Sequence, residues 1–130
     1  MQAPVHVVIL AAGLGTRMKS RRVKVLHEAG GLPLIEHVVR TALAVAPPEH
    51  IFVVVGCQAE QVRAAVARYG VGFIEQAEPK GTAHALLVGR ERLEPLGGLL
   101  TVLYGDCPLL TPATLQRLIA RQQASDAAAT

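Results

Sequence analysis

A glycine-rich turn followed by a cluster of basic residues is the part of this sequence best suited to chemistry. Gly13 and Gly15 end an apolar run, and five basic residues then fall within eight positions: Arg17, Lys19, Arg21, Arg22 and Lys24. Because glycine has no Cβ, backbone N–H groups near it can approach phosphate oxygens, and cationic side chains neutralise the phosphate charge. The pattern indicates a site for a nucleotide polyphosphate, although two glycines also serve simply to turn a chain.

Within this segment, Arg17 and Lys24 are the cations predicted to act in catalysis by holding phosphates. The other three basic residues suit a solvated, purely electrostatic role equally well. Two standard phosphate motifs do not fit. A dinucleotide fingerprint requires glycine where Met18 stands, and the chain lacks the Gly-Lys-Ser/Thr of a P-loop. Hydride transfer and ATP hydrolysis therefore lose support.

Asp106 is predicted to bind Mg²⁺. It follows an apolar run, and Mg²⁺ prefers one or two carboxylates together with substrate phosphates and water. A loop or helix-capping role is the alternative. The amide of Gln76 both donates and accepts, so it suits either reading a base edge or bonding a backbone group. Gly81 and Thr82 either approach a ligand or begin a helix.

The histidines and cysteines receive no catalytic role. None of the histidines has metal-ligand spacing, and His84, near the predicted ligand, suits the core equally well. Cys57 and Cys107 are interpreted as reduced thiols that pack in the interior.

Alternating strands and helices position these residues. The predicted strands cover 5–11, 51–56, 71–76 and 99–104, and the predicted helices cover 33–44, 60–69, 82–93 and 111–123. This alternation predicts an α/β fold with a Rossmann-like, doubly wound, mainly parallel sheet whose strands are buried on both faces. Ligands of such sheets bind beyond the carboxyl ends of the strands, so the glycine-rich turn, Gln76 and Asp106 are expected to converge.

Composition limits the remaining possibilities. The chain of 130 residues, 51% hydrophobic and 18% charged, is predicted to be one folded domain. No apolar run reaches the roughly 18 residues of a membrane span and no signal peptide is recognisable, so we expect a cytoplasmic protein without a membrane partner. Two Tyr and two Phe, with no Trp, argue against nucleic acid as a partner. Residues 126–130 are typical of the start of another strand and indicate a truncated domain.

Six segments together resemble the sugar-1-phosphate nucleotidyltransferases. They are LAAGLGTRM (10–18), KVLH (24–27), GGLPLIEHVV (30–39), Gln76, GTAHA (81–85) and YGDCPLL (104–110). Within that family the sequence is most similar to the uridyltransferase part of bifunctional bacterial enzymes that act on N-acetylglucosamine 1-phosphate. Residues 1–130 would then be the N-terminal, nucleotide-binding part of a nucleotidyltransferase domain.

The resemblance implies roles for individual residues. Arg17 and Lys24 would hold the phosphates of UTP, and Asp106 would bind Mg²⁺. The residues implied to recognise uracil are Gln76, Gly81 and Thr82. The residues implied to contact other parts of the nucleotide or sugar nucleotide are Leu10, Ala11, Ala12, Gly13, Tyr104, Gly105 and Asp106. Two departures from the family pattern, Leu14 and Val23, predict a phosphate loop that is less charged and less rigid.

The implied reaction is attack by a sugar-1-phosphate oxygen on the α-phosphorus of UTP, with release of pyrophosphate and without a protein nucleophile. Alternatives are a nucleotidyltransferase for another sugar 1-phosphate, one of the molybdenum-cofactor or cytidylyl type, and a non-catalytic nucleotide-binding module. The resemblance also implies a longer parent with a second metal ligand and an acetyltransferase domain, through which it would form homo-oligomers. The 130 residues alone are expected to be inactive.

Overall fold

The computed structural model describes residues 4–13, 21–78 and 80–130. The predictions for Leu14, Gly15, Arg17 and Lys19 lie outside these residues.

Four parallel strands form the central sheet. In chain order the strands are β1 (Val5–Leu10), β2 (Glu28–Ala29), β3 (Leu32–Pro33), β4 (Ile51–Val55), β5 (Gly72–Glu75) and β6 (Leu99–Tyr104). The sheet has the order β5-β4-β1-β6 and every pairing in it is parallel. From β1 the chain adds β4 and then β5 on one side, and β6 is added on the other side of β1. The winding direction therefore reverses at β1. The Rossmann-like parallel α/β fold predicted from the sequence is confirmed.

The helices are α1 (Leu34–Leu43), α2 (Ala59–Val66), α3 (Thr82–Val88), α4 (Arg90–Leu93) and α5 (Pro112–Ser125). Alternate residues of β1 pack into two separate cores. Val7 and Ile9 belong to a core that includes Leu115 of α5, whereas Val8 packs with Ala85 of α3. Because successive side chains of a strand point to opposite faces, the sheet is covered on both faces and is doubly wound.

Burial on both faces explains why the residues of β1 and β4 are almost all buried and, apart from His6, all apolar. The edge strand β6 is not buried on both faces, contrary to the expectation for every strand. Leu100, Val102 and Tyr104 alternate along it and are exposed. No helix among the described residues is long and apolar enough to cross a membrane.

Helix ends follow local sequence signals in two places. Thr111 caps α5, with its Oγ1 accepting a hydrogen bond from the Thr114 N–H at 3.2 Å, and Pro112 is the first helical residue. Gly70, at φ 75°, ends the short 3₁₀ turn that follows α2. Pro33, by contrast, precedes α1 as its N-cap residue, whereas the sequence predicts it as the first residue of the helix.

Two other local predictions are wrong, and one pair of strands has no counterpart among the predictions. The single helix predicted over 82–93 is two helices that meet at Gly89, where a Cβ would lie only 2.8 Å from Cδ1 of Ile74. Residues 126–130 form no strand, because Asp126 turns the chain out of α5 at φ 52°. The hairpin of β2 and β3 was not predicted, since two-residue strands are too short to show a periodic pattern.

Candidate active site

A cavity of about 230 Å³ opens at the carboxyl edge of the sheet. Most of the residues selected from the sequence line it. These residues are Leu10, Ala11, Ala12, Gly13, Lys24, Gln76, Gly81, Thr82, Tyr104 and Asp106, together with the apolar Val25, Val54 and Ala85. The structure thus brings together residues that are up to 96 positions apart in the chain, from Leu10 to Asp106.

Parallel strand pairing is the reason that these segments meet. Leu10 ends β1, Gln76 follows β5 and Tyr104 ends β6, so all three lie at the same edge of the sheet. Backbone hydrogen bonds extend the pairing beyond the strands. The Gln76 N–H donates to the Val55 carbonyl at 2.8 Å, and the Gly105 N–H donates to the Leu10 carbonyl at 2.9 Å.

Gly105 itself does not line the cavity. It is buried, and a Cβ at this position would lie 3.0 Å from Cδ1 of Ile35 and 3.1 Å from the Leu10 carbonyl oxygen. Glycine therefore avoids tight contacts where the chain leaves β6 close to β1 and α1. Gly15 and Arg17 lie outside the described residues.

Lys24 and Asp106 form an ion pair inside the cavity, with 3.1 Å between Nζ and Oδ2. Lys24 begins a short 3₁₀ turn whose Val25 and Leu26 are buried, and this anchors the lysine backbone. Among the described residues that line the cavity, Lys24 is the only cation and Asp106 the only carboxylate. The cavity therefore offers one group for a phosphate and one for a metal ion.

Cys107 also contacts the Asp106 carboxylate. Its Sγ donates to Oδ1 at 3.6 Å, and the residue is exposed, so its predicted packing role is wrong. Partial desolvation of the thiol and the adjacent carboxylate raise the pKa of Cys107, which disfavours the thiolate. Cys57 is half-buried against the core, and both cysteines are free thiols.

Gln76 is buried, with 4% of its surface exposed, yet it lines the cavity. Its Nε2 lies 2.8 Å from Nδ1 of His84 in α3. The side chain is thus held by a residue for which the sequence alone suggests no function.

Gln58 is a second residue that the sequence did not single out. Its Oε1 accepts a hydrogen bond from the Val23 N–H at 3.0 Å, and its Nε2 donates to the Arg21 carbonyl. It adopts a left-handed conformation, φ 54°, immediately before α2. Gln58 therefore fastens the chain just before Lys24. A single glutamine belongs to no recognisable sequence motif. The only signal in the sequence that could have identified Gln58 is its position shortly after the end of β4.

The described residues of the cavity provide one side-chain carboxylate, that of Asp106, for a metal ion. Among the described residues, no group of three or more His, Cys, Asp or Glu side chains is placed to hold a metal ion. A divalent ion next to Asp106 would take its other ligands from phosphates and water, as Mg²⁺ commonly does.

A parallel sheet with reversed winding, and a cavity at that reversal containing a lysine, a carboxylate and a buried amide, is an arrangement typical of nucleotide-binding α/β domains. Residues 7–130 match the MobA-like NTP transferase domain family, and the chain belongs to this family.

Similar proteins agree with this assignment. The chain is 62% identical over 128 residues to the bifunctional protein GlmU of Solibacter usitatus (strain Ellin6076), a match that covers 98% of this chain and 28% of that protein. It is 27% identical, with a TM-score of 0.74, to a nucleotidyl transferase from Methanothermobacter thermautotroptrophicus, covering 90% of this chain and 57% of the other. It is 25% identical, with a TM-score of 0.71, to Rv0371C of Mycobacterium tuberculosis H37Rv in complex with manganese, and this match covers 95% of this chain and 62% of the other.

These findings confirm the nucleotidyltransferase fold and the family resemblance predicted from the sequence motifs. The chain spans only part of the curated relatives that it matches, for example 28% of the length of the Solibacter usitatus protein.

Proposed function

We propose that this chain binds UTP for an enzyme that transfers uridylyl to N-acetylglucosamine 1-phosphate, giving UDP-N-acetylglucosamine and pyrophosphate. The observation that carries the proposal is the meeting of Lys24, Asp106 and Gln76 in one cavity at the reversal of strand order. The 62% identity to a bifunctional protein GlmU favours this reaction over the molybdenum-cofactor and cytidylyl alternatives. In this proposal, residues 1–130 are the N-terminal nucleotide-binding part of the nucleotidyltransferase domain.

The phosphates lie beside Lys24 in this proposal. Gly13 and Lys24 both line the cavity, so the basic segment between them begins and ends at the site. We therefore retain Gly15 and Arg17 as phosphate ligands, Gly15 through its backbone and Arg17 through its guanidinium. The exposed Arg21 contributes only a general electrostatic attraction.

The base lies beside Gln76, Gly81 and Thr82. The apolar side chains of Leu10, Val54 and Ala85 also line the cavity and suit a planar ring. Tyr104 lies next to the ion pair at the end of β6, where the sugar nucleotide would extend.

Asp106 is the proposed ligand of Mg²⁺. A single carboxylate fits an ion that takes most of its ligands from phosphates and water, and the manganese complex of a relative supports a divalent ion in this fold. When bound, Mg²⁺ would supply positive charge to the phosphates. Lys24 and Arg17 would add to that charge and orient the α-phosphorus toward the attacking oxygen.

The chemistry requires no general base from the protein. The attacking atom is a phosphate oxygen that already carries negative charge, and pyrophosphate leaves as an anion. The contribution of this chain is to position the nucleotide and to neutralise charge. Because UTP and sugar 1-phosphates are cytoplasmic metabolites, we expect the reaction in the cytoplasm.

Equilibrium binding tests the proposal. UTP, CTP and GTP are titrated into the protein with and without Mg²⁺, and we expect UTP to bind most tightly and Mg²⁺ to strengthen its binding. Equal affinity for the three nucleotides would contradict the uracil assignment.

A pyrophosphate-release assay with UTP, Mg²⁺ and N-acetylglucosamine 1-phosphate tests the reaction, with the full-length Solibacter relative as the active control. We expect this chain to bind UTP without turnover, since the described part of its cavity has one cation and one carboxylate to serve two phosphorylated substrates. Sugar-dependent release by the 130-residue chain would show that it is a complete catalytic unit.

A further inference from the structure

The side-chain amide of Gln76 is held in one orientation by His84. Gln76 Nε2 lies 2.8 Å from His84 Nδ1. An amide nitrogen only donates hydrogen bonds, so Nδ1 is the acceptor and the imidazole proton is on Nε2. Within residues 4–13, 21–78 and 80–130, the Gln76 Oε1 atom forms no hydrogen bond, which leaves this acceptor for the cavity.

His84 acts from behind the cavity. Its neighbours in α3, Thr82 and Ala85, line the cavity, whereas His84 does not. The Gln76 backbone is fixed separately by its hydrogen bond to the Val55 carbonyl. With the backbone tied to β4 and the amide nitrogen tied to α3, little freedom remains to the side chain except rotation of the amide plane.

That rotation decides which base fits. A free carboxamide is nearly symmetric in shape, and a half-turn exchanges its oxygen acceptor for its NH₂ donor. Uracil presents a ring N3–H donor, which matches Oε1. Cytosine presents an unprotonated N3, which is an acceptor. It cannot form a hydrogen bond with Oε1 and requires the opposite orientation of the amide, with NH₂ toward the base.

We infer that His84 is a positioning residue that determines base selectivity: because it retains its proton on Nε2, it keeps Gln76 Oε1 toward the base and so favours uracil over cytosine. The inference rests on the proposed function, in which Gln76 reads the base. An unpaired acceptor in a buried site lowers affinity by roughly tenfold to a hundredfold, which is the UTP-over-CTP preference expected for the unmodified protein.

Three substitutions separate orientation from packing. His84→Ala removes the acceptor, and we expect the preference for UTP over CTP to fall to about threefold or less. His84→Asp places an acceptor-only group near the position of Nδ1, and the preference should remain although both nucleotides bind more weakly. His84→Asn can donate or accept, as could an imidazole free to change tautomer. It permits both amide orientations and should lose the preference like His84→Ala if His84 itself keeps the Nε2–H tautomer.

His37→Ala is the matched control. His37 is also half-buried and its ring is also hydrogen-bonded, to the Ala29 carbonyl at 2.6 Å, but it does not line or adjoin the cavity residues. This variant should bind UTP and CTP as the unmodified protein does. If His84 has a purely structural role, His84→Asn should preserve selectivity better than His84→Asp, because asparagine is uncharged like neutral histidine. This result would overturn the inference.

A spectroscopic measurement tests the inference independently of nucleotide binding. A long-range ¹H–¹⁵N spectrum of the histidine side chains in the unmodified protein should show His84 Nδ1 unprotonated and Nε2 protonated. A proton on Nδ1 would overturn the inference even if UTP is preferred, leaving the proposed function intact. Equal binding of UTP and CTP by the unmodified protein would overturn both, because His84 cannot determine a preference that does not exist.

Discussion

Lys24 and Asp106 neutralise each other in the unliganded cavity, with 3.1 Å between Nζ and Oδ2. Their side chains are 45% and 32% exposed, so the pair contributes only about 0–1 kcal/mol to stability. A phosphate that engages Lys24, or a metal ion that engages Asp106, must separate the two groups. The lysine therefore competes with a metal ion for the carboxylate until a nucleotide offers it phosphates.

Replacing Lys24 should separate metal affinity from nucleotide affinity. In Lys24→Met, we expect Mn²⁺ alone to bind more tightly, because its competitor is gone, while UTP affinity falls roughly tenfold through loss of a charge-assisted contact. Electron paramagnetic resonance measures free Mn²⁺, and calorimetry measures UTP binding. Arg21→Met, in an exposed residue of the same basic segment, is the control and should change both affinities little. Unchanged Mn²⁺ affinity in Lys24→Met would rule out competition.

Removing the charge of Asp106 should abolish the effect of the metal without unfolding the protein. In Asp106→Asn, we expect the free energy of unfolding to change by less than about 1 kcal/mol, because the lost ion pair is solvent-accessible. Mg²⁺ should no longer strengthen UTP binding. Urea unfolding and UTP titration with and without Mg²⁺ measure the two effects. If Mg²⁺ still strengthens UTP binding, the metal lies elsewhere.

Gln58 should affect the site through its side chain and the fold through its backbone. Gln58→Ala and Gln58→Gly both remove the amide that joins Arg21 and Val23, so both should weaken UTP binding to a similar extent. Glycine accepts the left-handed backbone at φ 54° and alanine does not, so Gln58→Gly should be about 1–2 kcal/mol more stable than Gln58→Ala. Chemical unfolding of the two variants provides the comparison. Equal stabilities would show that the backbone relaxes at this position.

His6 should make stability depend on pH at the opposite end of the sheet. His6, in β1, is buried with no hydrogen-bond partner for Nδ1 among the described residues, and its ring lies 4.4 Å from that of His50. Burial, and secondarily His50, lower the pKa of His6 below 6.5, whereas a hydrogen bond that the ring donates to the Gly97 backbone opposes the shift.

The direction in which stability changes with pH follows from proton uptake by the folded and unfolded chains. Below about pH 6.5 the unfolded chain binds a proton at His6 that the folded chain binds only at lower pH. The contribution of His6 to stability is therefore complete above pH 6.5 and is lost as the pH falls toward the folded-state pKa, by at most about 1.4 kcal/mol per pH unit. Urea unfolding between pH 7.5 and 5.5 should show a flatter profile for His6→Leu. Parallel profiles for the two proteins would contradict this assignment.

The sequence by itself determines the type of fold and the edge of the sheet that carries the site. Ile51–Val55 is apolar without interruption, and Val5–Leu10 is apolar except for His6, because both faces of a central parallel strand are buried. Parallel strands joined by helices must align their carboxyl ends, so Gln76 and Asp106 converge whatever the details of packing. These features depend on local patterns, which a sequence displays directly.

Only the tertiary structure decides which groups within the site contact each other. Lys24 and Asp106 are 82 positions apart, Gln58 reaches back 35 positions to Val23, and helix packing alone brings the His84 ring to the Gln76 amide. The close approach of Gly89, between α3 and α4, to Ile74 is likewise a contact between distant parts of the fold. No local pattern specifies such contacts, because their distances depend on how the complete set of side chains packs.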